Sequence, residues 1–197
     1  MMRPDLDIIQ SWITPASRVL DLGCGDGSLL DYLKNNKQVS DIGLEIDPKN
    51  IEQCLQKGVH VIQQDMNKGL QNFVSDSFDT VLLTQTLQAV SYPDIVIEEM
   101  LRIGKNCIVT FPNFGHWRSR LYLVNKGRMP VSEFMPYEWY NTPNIHFCTV
   151  RDFDAFCAER NINILTRLVV DNKHRDSWTI NLLPNLLGEI AIYHISR

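Results

Sequence analysis

At 197 residues the chain has room for one domain with a sizeable core, and its length argues against two independent ones. Apolar residues make up 44% and charged residues 21%, an ordinary globular balance, and a net charge of −4 gives no electrostatic footprint for nucleic acid. The start, Met1-Met2-Arg3-Pro4-Asp5-Leu6-Asp7, lacks the apolar core of a signal peptide, and no run reaches the roughly 18 apolar residues of a membrane span.

These features predict a soluble, cytoplasmic protein with neither nucleic acid nor membrane as partner. Five cysteines, Cys24, Cys54, Cys107, Cys148 and Cys157, form no C-x-x-C pair, and their odd number leaves at least one unpaired. Buried free thiols in a reducing compartment fit that pattern.

Asp5 to Ile13 reads as a short lead-in helix with Leu6, Ile9 and Ile13 roughly on one face. Thr14-Pro15 closes it, because the residue before proline avoids helical geometry. Val19-Leu20-Asp21-Leu22 then reads as a buried strand that stops at Gly23-Cys24-Gly25-Asp26-Gly27, and Ser28 onward turns to helical spacing with Leu29, Leu30 and Leu33 on one side. A glycine-rich strand-to-helix turn lets main-chain N–H groups lie against a ligand without a side chain between.

A dinucleotide fingerprint would place its third glycine at Ser28, whereas this turn reads Asp-x-Gly-x-Gly-x-Gly. An acid before the first glycine repels a pyrophosphate and attracts the ammonium and sulfonium of S-adenosylmethionine. That makes S-adenosylmethionine, or its product S-adenosylhomocysteine, the ligand that fits this spacing.

Ile42-Gly43-Leu44-Glu45-Ile46 is the second strand, and Asp47-Pro48 opens a helix that Gly58 stops. Glu45 falls 22 residues after Gly23, near the offset at which such folds place a carboxylate on a ribose. Asp47 competes for that role, but a helix cap already explains it. Val59-His60-Val61-Ile62-Gln63 is the third strand, followed by Asp65 for the adenine amino group and Met66 to cover the ring. Asp21, Glu45 and Asp65 thus end successive strands on the edge where open α/β sheets bind ligands.

Ser77 to Thr84 is the fourth strand, and Gln85-Thr86-Leu87-Gln88 follows at the switch point where ligand and substrate meet. Pro93 opens a helix carrying Ile95, Ile97, Met100, Leu101 and Ile103, Gly104 closes it, and Cys107-Ile108-Val109-Thr110-Phe111 is the fifth strand. This alternation specifies an α/β fold with a doubly wound, mostly parallel sheet. The candidate ligand residues are Asp21, Gly23, Cys24, Gly25, Gly27, Glu45, Ile46, Asp65, Met66 and Gln85.

From about 112 to 148 the rhythm breaks into a connection far longer than such units need. With Phe111 it gathers Phe114, Trp117, Tyr122, Phe134, Tyr137, Trp139, Tyr140 and Phe147, interleaved with Arg118, Arg120, Lys126 and Arg128. It is either a folded flap packed on the sheet edge, or a lid or docking surface, since Trp, Tyr and Arg are common interface anchors. Thr149-Val150-Arg151-Asp152 resembles a capping box opening a helix with Phe153, Phe156 and Cys157 inward and Asn161 as its stop. Ile162 to Val170 and Glu189 to Ile195 are the final strands. The whole chain, 1–197, reads as one domain with this insert.

No catalytic residue and no metal site announce themselves. Phe111-Pro112-Asn113 is not the Asn/Asp-Pro-Pro-aromatic cluster that orients an amine nucleophile. His116 and His146 have the chemistry of a base but read more simply as hydrogen-bonded structural residues, and His146-x-Cys148 supplies too few metal ligands. Methyl transfer itself needs little acid–base machinery, because alignment alone supplies roughly 7–11 kcal/mol of the barrier.

The glycine turn with Asp21, Glu45 and Asp65 resembles the class I S-adenosylmethionine-dependent methyltransferases, with their Rossmann-like fold, over roughly the first 110 residues. Thr84-Gln85-Thr86-Leu87-Gln88, Phe111-Pro112-Asn113-Phe114-Gly115-His116-Trp117, Gly127-Arg128-Met129-Pro130 and Pro136-Tyr137-Glu138-Trp139-Tyr140-Asn141-Thr142-Pro143-Asn144-Ile145-His146 more specifically resemble the MetW family of methionine biosynthesis proteins, over nearly the whole chain. The resemblance implies a sheet finished by one antiparallel strand near the C-terminus, and a bacterial protein working with homoserine O-acetyltransferase. Two readings follow: an accessory or regulatory subunit that docks through the insert, and a methyltransferase for a small molecule with the insert as lid.

Overall fold

The computed structural model describes residues 4–132, 136–171, 180 and 182–197. Phe134, the side chain of Leu6, and residues 172–179 and 181 between the last two expected strands lie outside the described residues. The chain runs α1 (Pro4–Trp12), β1 (Arg18–Leu22), α2 (Ser28–Lys37), β2 (Ser40–Glu45), α3 (Pro48–Gln56), β3 (Val61–Gln63) and β4 (Phe78–Thr84). It continues through α4 (Pro93–Ile103), β5 (Gly104–Pro112), α5 (Trp117–Lys126), α6 (Val150–Glu159), β6 (Asn163–Val170), α7 (Pro184–Leu187) and β7 (Ile190–Ser196).

The strands form one sheet in the order β3-β2-β1-β4-β5-β7-β6. Pairing is parallel from β3 through β5, and β7 runs antiparallel to both β5 and β6, so it is the one reversed strand. Alternate residues feed two cores. Leu20, Leu22, Val81 and Leu83 meet Val96, Ile97 and Met100 of α4 and Phe153 of α6 on one face. Val19, Leu82 and Ile108 meet Ile9, Leu30, Leu33 and Cys54 from α1 to α3 on the other. The sheet is therefore doubly wound, and near-continuous apolar strands are what burial on both faces requires. The order reverses between β1 and β4, which opens the crevice for a ligand at their carboxyl ends.

Local signals land where their chemistry acts. Asp47 Oδ1 accepts the Lys49 N–H at 2.9 Å with Pro48 in the first turn, so α3 begins as its cap dictates. Thr149 and Asp152 form a reciprocal capping box, and Val150, Phe153 and Cys157 of α6 are buried. Phe111, Phe153 and Tyr193 pack ring against ring, with centroids 4.5 to 5.8 Å apart. The Tyr193 hydroxyl donates to Asp154 at 2.8 Å, and burial pushes its pKa up.

Besides β2, which starts two residues earlier than expected at Ser40 and ends before Ile46, three places depart from the sequence expectation. β5 starts at Gly104 directly from α4, because Lys105 reaches Asp79 at 2.8 Å and a Cβ on Gly104 would come within 2.5 Å of Val81. β3 is short, since the Val59 N–H is spent on the Cys54 carbonyl at the end of α3. The insert contains a helix, α5, which Gly127 closes in a left-handed conformation (φ +59°). Its aromatic content masked the helical spacing of Trp117, Leu121 and Val124. No helix among the described residues is long and apolar enough to cross a membrane.

Candidate ligand crevice

The glycine turn leaves β1 and folds over the end of β2: the N–H groups of Gly23 and Cys24 both donate to the Leu44 carbonyl at 2.9 Å. Gly23 has φ +76°, and a Cβ there would come within 2.9 Å of the Thr86 side chain, so the turn lies directly on the loop that follows β4. Gly25 has φ +56° but nothing within 4 Å of its Cβ position. At Gly25, then, the missing side chain leaves open space, a cradle for a ligand laid against the main chain.

Beneath the turn, Cys24 and Cys54 place their sulfurs 3.8 Å apart, and the Cys54 thiol donates to the Gly25 carbonyl at 3.2 Å. Burial pushes both thiols up from their ordinary range, and Asp21 and Cys54 add to the effect on Cys24. Both are packing thiols at neutral pH. At the start of α2, burial would raise the Asp26 carboxyl, but hydrogen bonds from Lys57 at 2.6 Å and from Ser28 hold it down at about 2. Among the described residues no three His, Cys, Asp or Glu side chains are placed to hold a metal.

The three acids lie along the carboxyl edge of the sheet. Asp21 is 1% exposed and sits in register between Gly43 of β2 and Leu82 of β4. Glu45 ends β2, and its carboxylate gathers three backbone donors: Gly25 N–H at 2.8 Å on Oε2, Ile46 N–H at 2.8 Å and Asp47 N–H at 3.0 Å on Oε1. Of about four lone-pair sites on a carboxylate, one on Oε2 remains for a further donor. Asp65 follows β3 and caps a single 3₁₀ turn, with Oδ1 accepting from the Asn67 N–H at 2.9 Å and its side-chain amide at 3.1 Å.

Met66 brings its Cε to 3.5 Å from the Cβ position of Gly23 and packs on the larger core. Ile46 is exposed beside Glu45. Gln85 adopts φ +56°, a left-handed conformation uncommon outside glycine, and Thr110 fixes it by accepting the Gln85 N–H on Oγ1 at 2.9 Å.

The structure therefore gathers Asp21, Gly23, Cys24, Gly25, Gly27, Glu45 and Met66 about one turn, and sets Ile46, Asp65 and Gln85 on the neighbouring strand ends. Sequence reasoning missed Thr86 and Cys54, which shape the turn from beside and below it, and Thr110, which holds Gln85. Only Thr86 carried a signal, its place at the switch point.

Asn113 is 2% exposed, and its amide is fully spent. Nδ2 donates to the Gly188 carbonyl at 2.8 Å and to the Asn185 carbonyl at 3.2 Å, and Oδ1 accepts from Gly115 and Val150 N–H groups. It ties the insert's start to α6 and to the approach of β7. His116 is also buried, 3.9 Å from Glu189, and burial together with the nearby Arg118 lowers its pKa to about 4.

The insert closes on itself where Phe114 N–H donates to the Cys148 carbonyl at 3.0 Å. Just before that closure it is stitched to the loop after β4, where Ile145 and His146 N–H groups share the Gln88 carbonyl at 2.7 and 3.0 Å. Trp139 is 74% exposed and Tyr140 70%, and Met129, Pro130, Tyr137, Trp139, Ile145 and Phe147 line a cavity of about 310 Å³.

The fold is shared with solved structures. A SAM-dependent methyltransferase from Archaeoglobus fulgidus superposes with a TM-score of 0.72 at 14% identity, covering 99% of this chain and 92% of that one. An S-adenosylmethionine-dependent methyltransferase from Mesorhizobium loti gives 0.70 at 15% identity, covering 98% and 96%. At these identities the likeness is one of fold. In sequence, the chain is 34% identical over 203 residues to the bifunctional methionine biosynthesis protein MetXA/MetW of Rhodopirellula baltica, covering 98% of this chain and 32% of the relative. The chain thus spans about a third of that protein's length. The family model for methionine biosynthesis protein MetW matches residues 3–195, and the chain belongs to the MetW family.

Proposed function

We propose that the protein binds S-adenosylmethionine or S-adenosylhomocysteine at the glycine turn and serves homoserine O-acetyltransferase as an accessory, regulatory subunit that docks through the aromatic insert. One observation carries this reading: the braced ligand crevice and the backbone of the insert that carries the exposed aromatics both touch the same loop, Gln85 to Gln88. The bifunctional name of the Rhodopirellula baltica relative supports it, because there a MetXA unit and a MetW unit share one chain.

In this reading Asp21 and the open space over Gly25 take the amino-acid end of the ligand, the remaining lone pair of Glu45 accepts from the ribose, and Asp65 with Met66 receives the adenine. When bound, S-adenosylmethionine supplies an electrophilic methyl group on a sulfonium. As the downstream product of methionine synthesis it suits a feedback signal. Asn113 and His116 belong to the scaffold: the Asn113 amide has no donor or acceptor left for a substrate, and His116 is a neutral buried ring at pH 7.

A second reading, methyl transfer to a small molecule with the insert as lid, draws on the methyltransferases that share the fold. Homoserine acetylation by the cognate acetyltransferase separates the two readings. It is measured with and without this protein, and with S-adenosylmethionine titrated in. We expect a rate that depends on this protein and responds to the ligand. An unchanged rate, together with loss of the donor methyl in the presence of a metabolite extract, selects the methyltransferase.

A further inference from the structure

Away from the crevice, a groove of about 320 Å³ opens between α5, the start of α6, β6 and the segment before β7. Among the described residues, Arg120, Arg151 and Arg167 line it with a single carboxylate, Asp154, and Leu183 and Asn185 form part of its wall. Among these described side chains, three guanidinium groups against one carboxylate leave a surplus of two positive charges on a chain whose net charge is −4.

Two of these arginines are held in place. Arg120 donates from Nε to the Gly115 carbonyl at 2.6 Å, which leaves its Nη groups for another acceptor. Arg167 pairs with Asp154 at 2.5 Å, and Asp154 is itself fixed by the hydroxyl of the fully buried Tyr193 at 2.8 Å. The wall is held too, since the buried Asn113 amide donates to the Asn185 carbonyl and the Arg151 N–H donates to Asn185 Oδ1 at 3.4 Å. The Arg151 guanidinium has no acceptor among the described residues. A guanidinium fixed before binding, as that of Arg120 is, loses little freedom on meeting an oxyanion, while the exposed Arg151 guanidinium brings a full set of uncommitted donors, and the planar pairs of N–H donors on both match carboxylate and phosphate oxygens.

We propose that this groove is a second small-molecule site, which takes a carboxylate or phosphate group between Arg120 and Arg151 and lays a short apolar body against Leu183. The site is independent of the S-adenosyl crevice and of the role assigned to it.

The test is calorimetric titration of the full chain with inorganic phosphate and, separately, with butyrate, at constant ionic strength. Binding at a concentration of roughly 1–10 mM is expected for so small a probe. Arg151→Ala should weaken it about tenfold or more, the loss of charge-assisted hydrogen bonds. Arg151→Lys, which keeps the charge without the fork, should fall between, and Arg128→Ala, a change on the insert away from the groove, should bind as the parent does. Tighter butyrate than phosphate assigns the ligand to the carboxylates, and the reverse assigns it to phosphoryl compounds. The proposal is overturned if the parent takes up neither probe, or if Arg151→Ala binds both as well as the parent.

Discussion

The glycine turn and the aromatic insert solve opposite problems. In the turn nearly every polar group is already engaged: Leu44 accepts two N–H groups, Glu45 accepts three, and the Cys54 thiol bonds the Gly25 carbonyl. A turn braced in this way would order little on taking up the proposed ligand. The insert is pinned at its base by Phe114, Cys148 and Asn113 and close to that base by Gln88, while Trp139 and Tyr140 stand mostly in solvent. Large aromatics left exposed offer surface that the proposed partner would cover. Rigidity has gone to the crevice and apolar reach to the insert.

The sharpest way to break this contrast is at Asp21, the buried acid of the turn. Asp21→Ala should lower S-adenosylhomocysteine affinity by about a hundredfold, as expected when charge-assisted hydrogen bonds are lost. Calorimetry measures it, with circular dichroism to show that the fold is kept. Affinity equal to the parent's would place the pocket elsewhere.

How much of this was legible in the sequence differs between the two regions for a physical reason. The turn is written in local code: glycines at positions that need φ above zero, an acid at each strand end, a cap at Asp47 and a capping box at Thr149. Each acts within a few residues, so spacing suffices to find it. The start of β5 at Gly104 was missed because Lys105 and Asn106 are polar, and only the neighbouring Asp79 makes them strand residues. Asn113 was missed for the same kind of reason, since its partners at Gly115, Val150, Asn185 and Gly188 include residues up to 75 positions away. The groove of Arg120, Arg151 and Arg167 is likewise assembled from three separate elements, and no spacing along the chain announces it.

Acid exposes a second difference, because His116, at the base of the insert, is buried neutral. Its folded pKa of about 4 lies below the ordinary 6.5, so the unfolded chain binds the extra proton between those values. Stability is therefore fully present above about pH 6.5 and falls as pH drops toward 4, by up to about 3 kcal/mol from this group. Burial lowers the His194 pKa as well, which adds loss of the same sign. Thermal denaturation of the parent and of His116→Gln across this window should show the variant losing less on acidification. Parallel curves would mean that His116 is not held neutral by the fold.

At the exposed end of the insert the effect should be smaller and confined to binding. Trp139→Ala removes a ring that is 74% exposed, so the melting temperature should stay within about a degree of the parent's. Affinity for the acetyltransferase, by size exclusion or surface plasmon resonance, should fall by about 1–2 kcal/mol if the ring is an interface anchor. A lower melting temperature with unchanged affinity would make Trp139 a packing residue and return the insert to the role of a flap.

The smallest effect tests whether the two regions are separate at all. The His146 ring meets the Ser91 carbonyl at 3.3 Å, Ser91 N–H donates to Asn67 at 2.8 Å, and Asn67 donates to Asp65. Solvent-exposed hydrogen bonds of this kind contribute about 0.5–1.5 kcal/mol each. His146→Ala removes the ring contact and leaves the backbone bonds to Gln88 in place. Amide exchange at Ile145 and His146 should then quicken severalfold, with S-adenosylhomocysteine affinity within about twofold of the parent's. A rigid turn needs no support from the closing end of the insert. Should His146→Ala weaken the ligand by an order of magnitude, the chain from His146 to Asp65 would be part of the pocket, and docking at the insert would change ligand affinity by the same factor that the ligand changes docking.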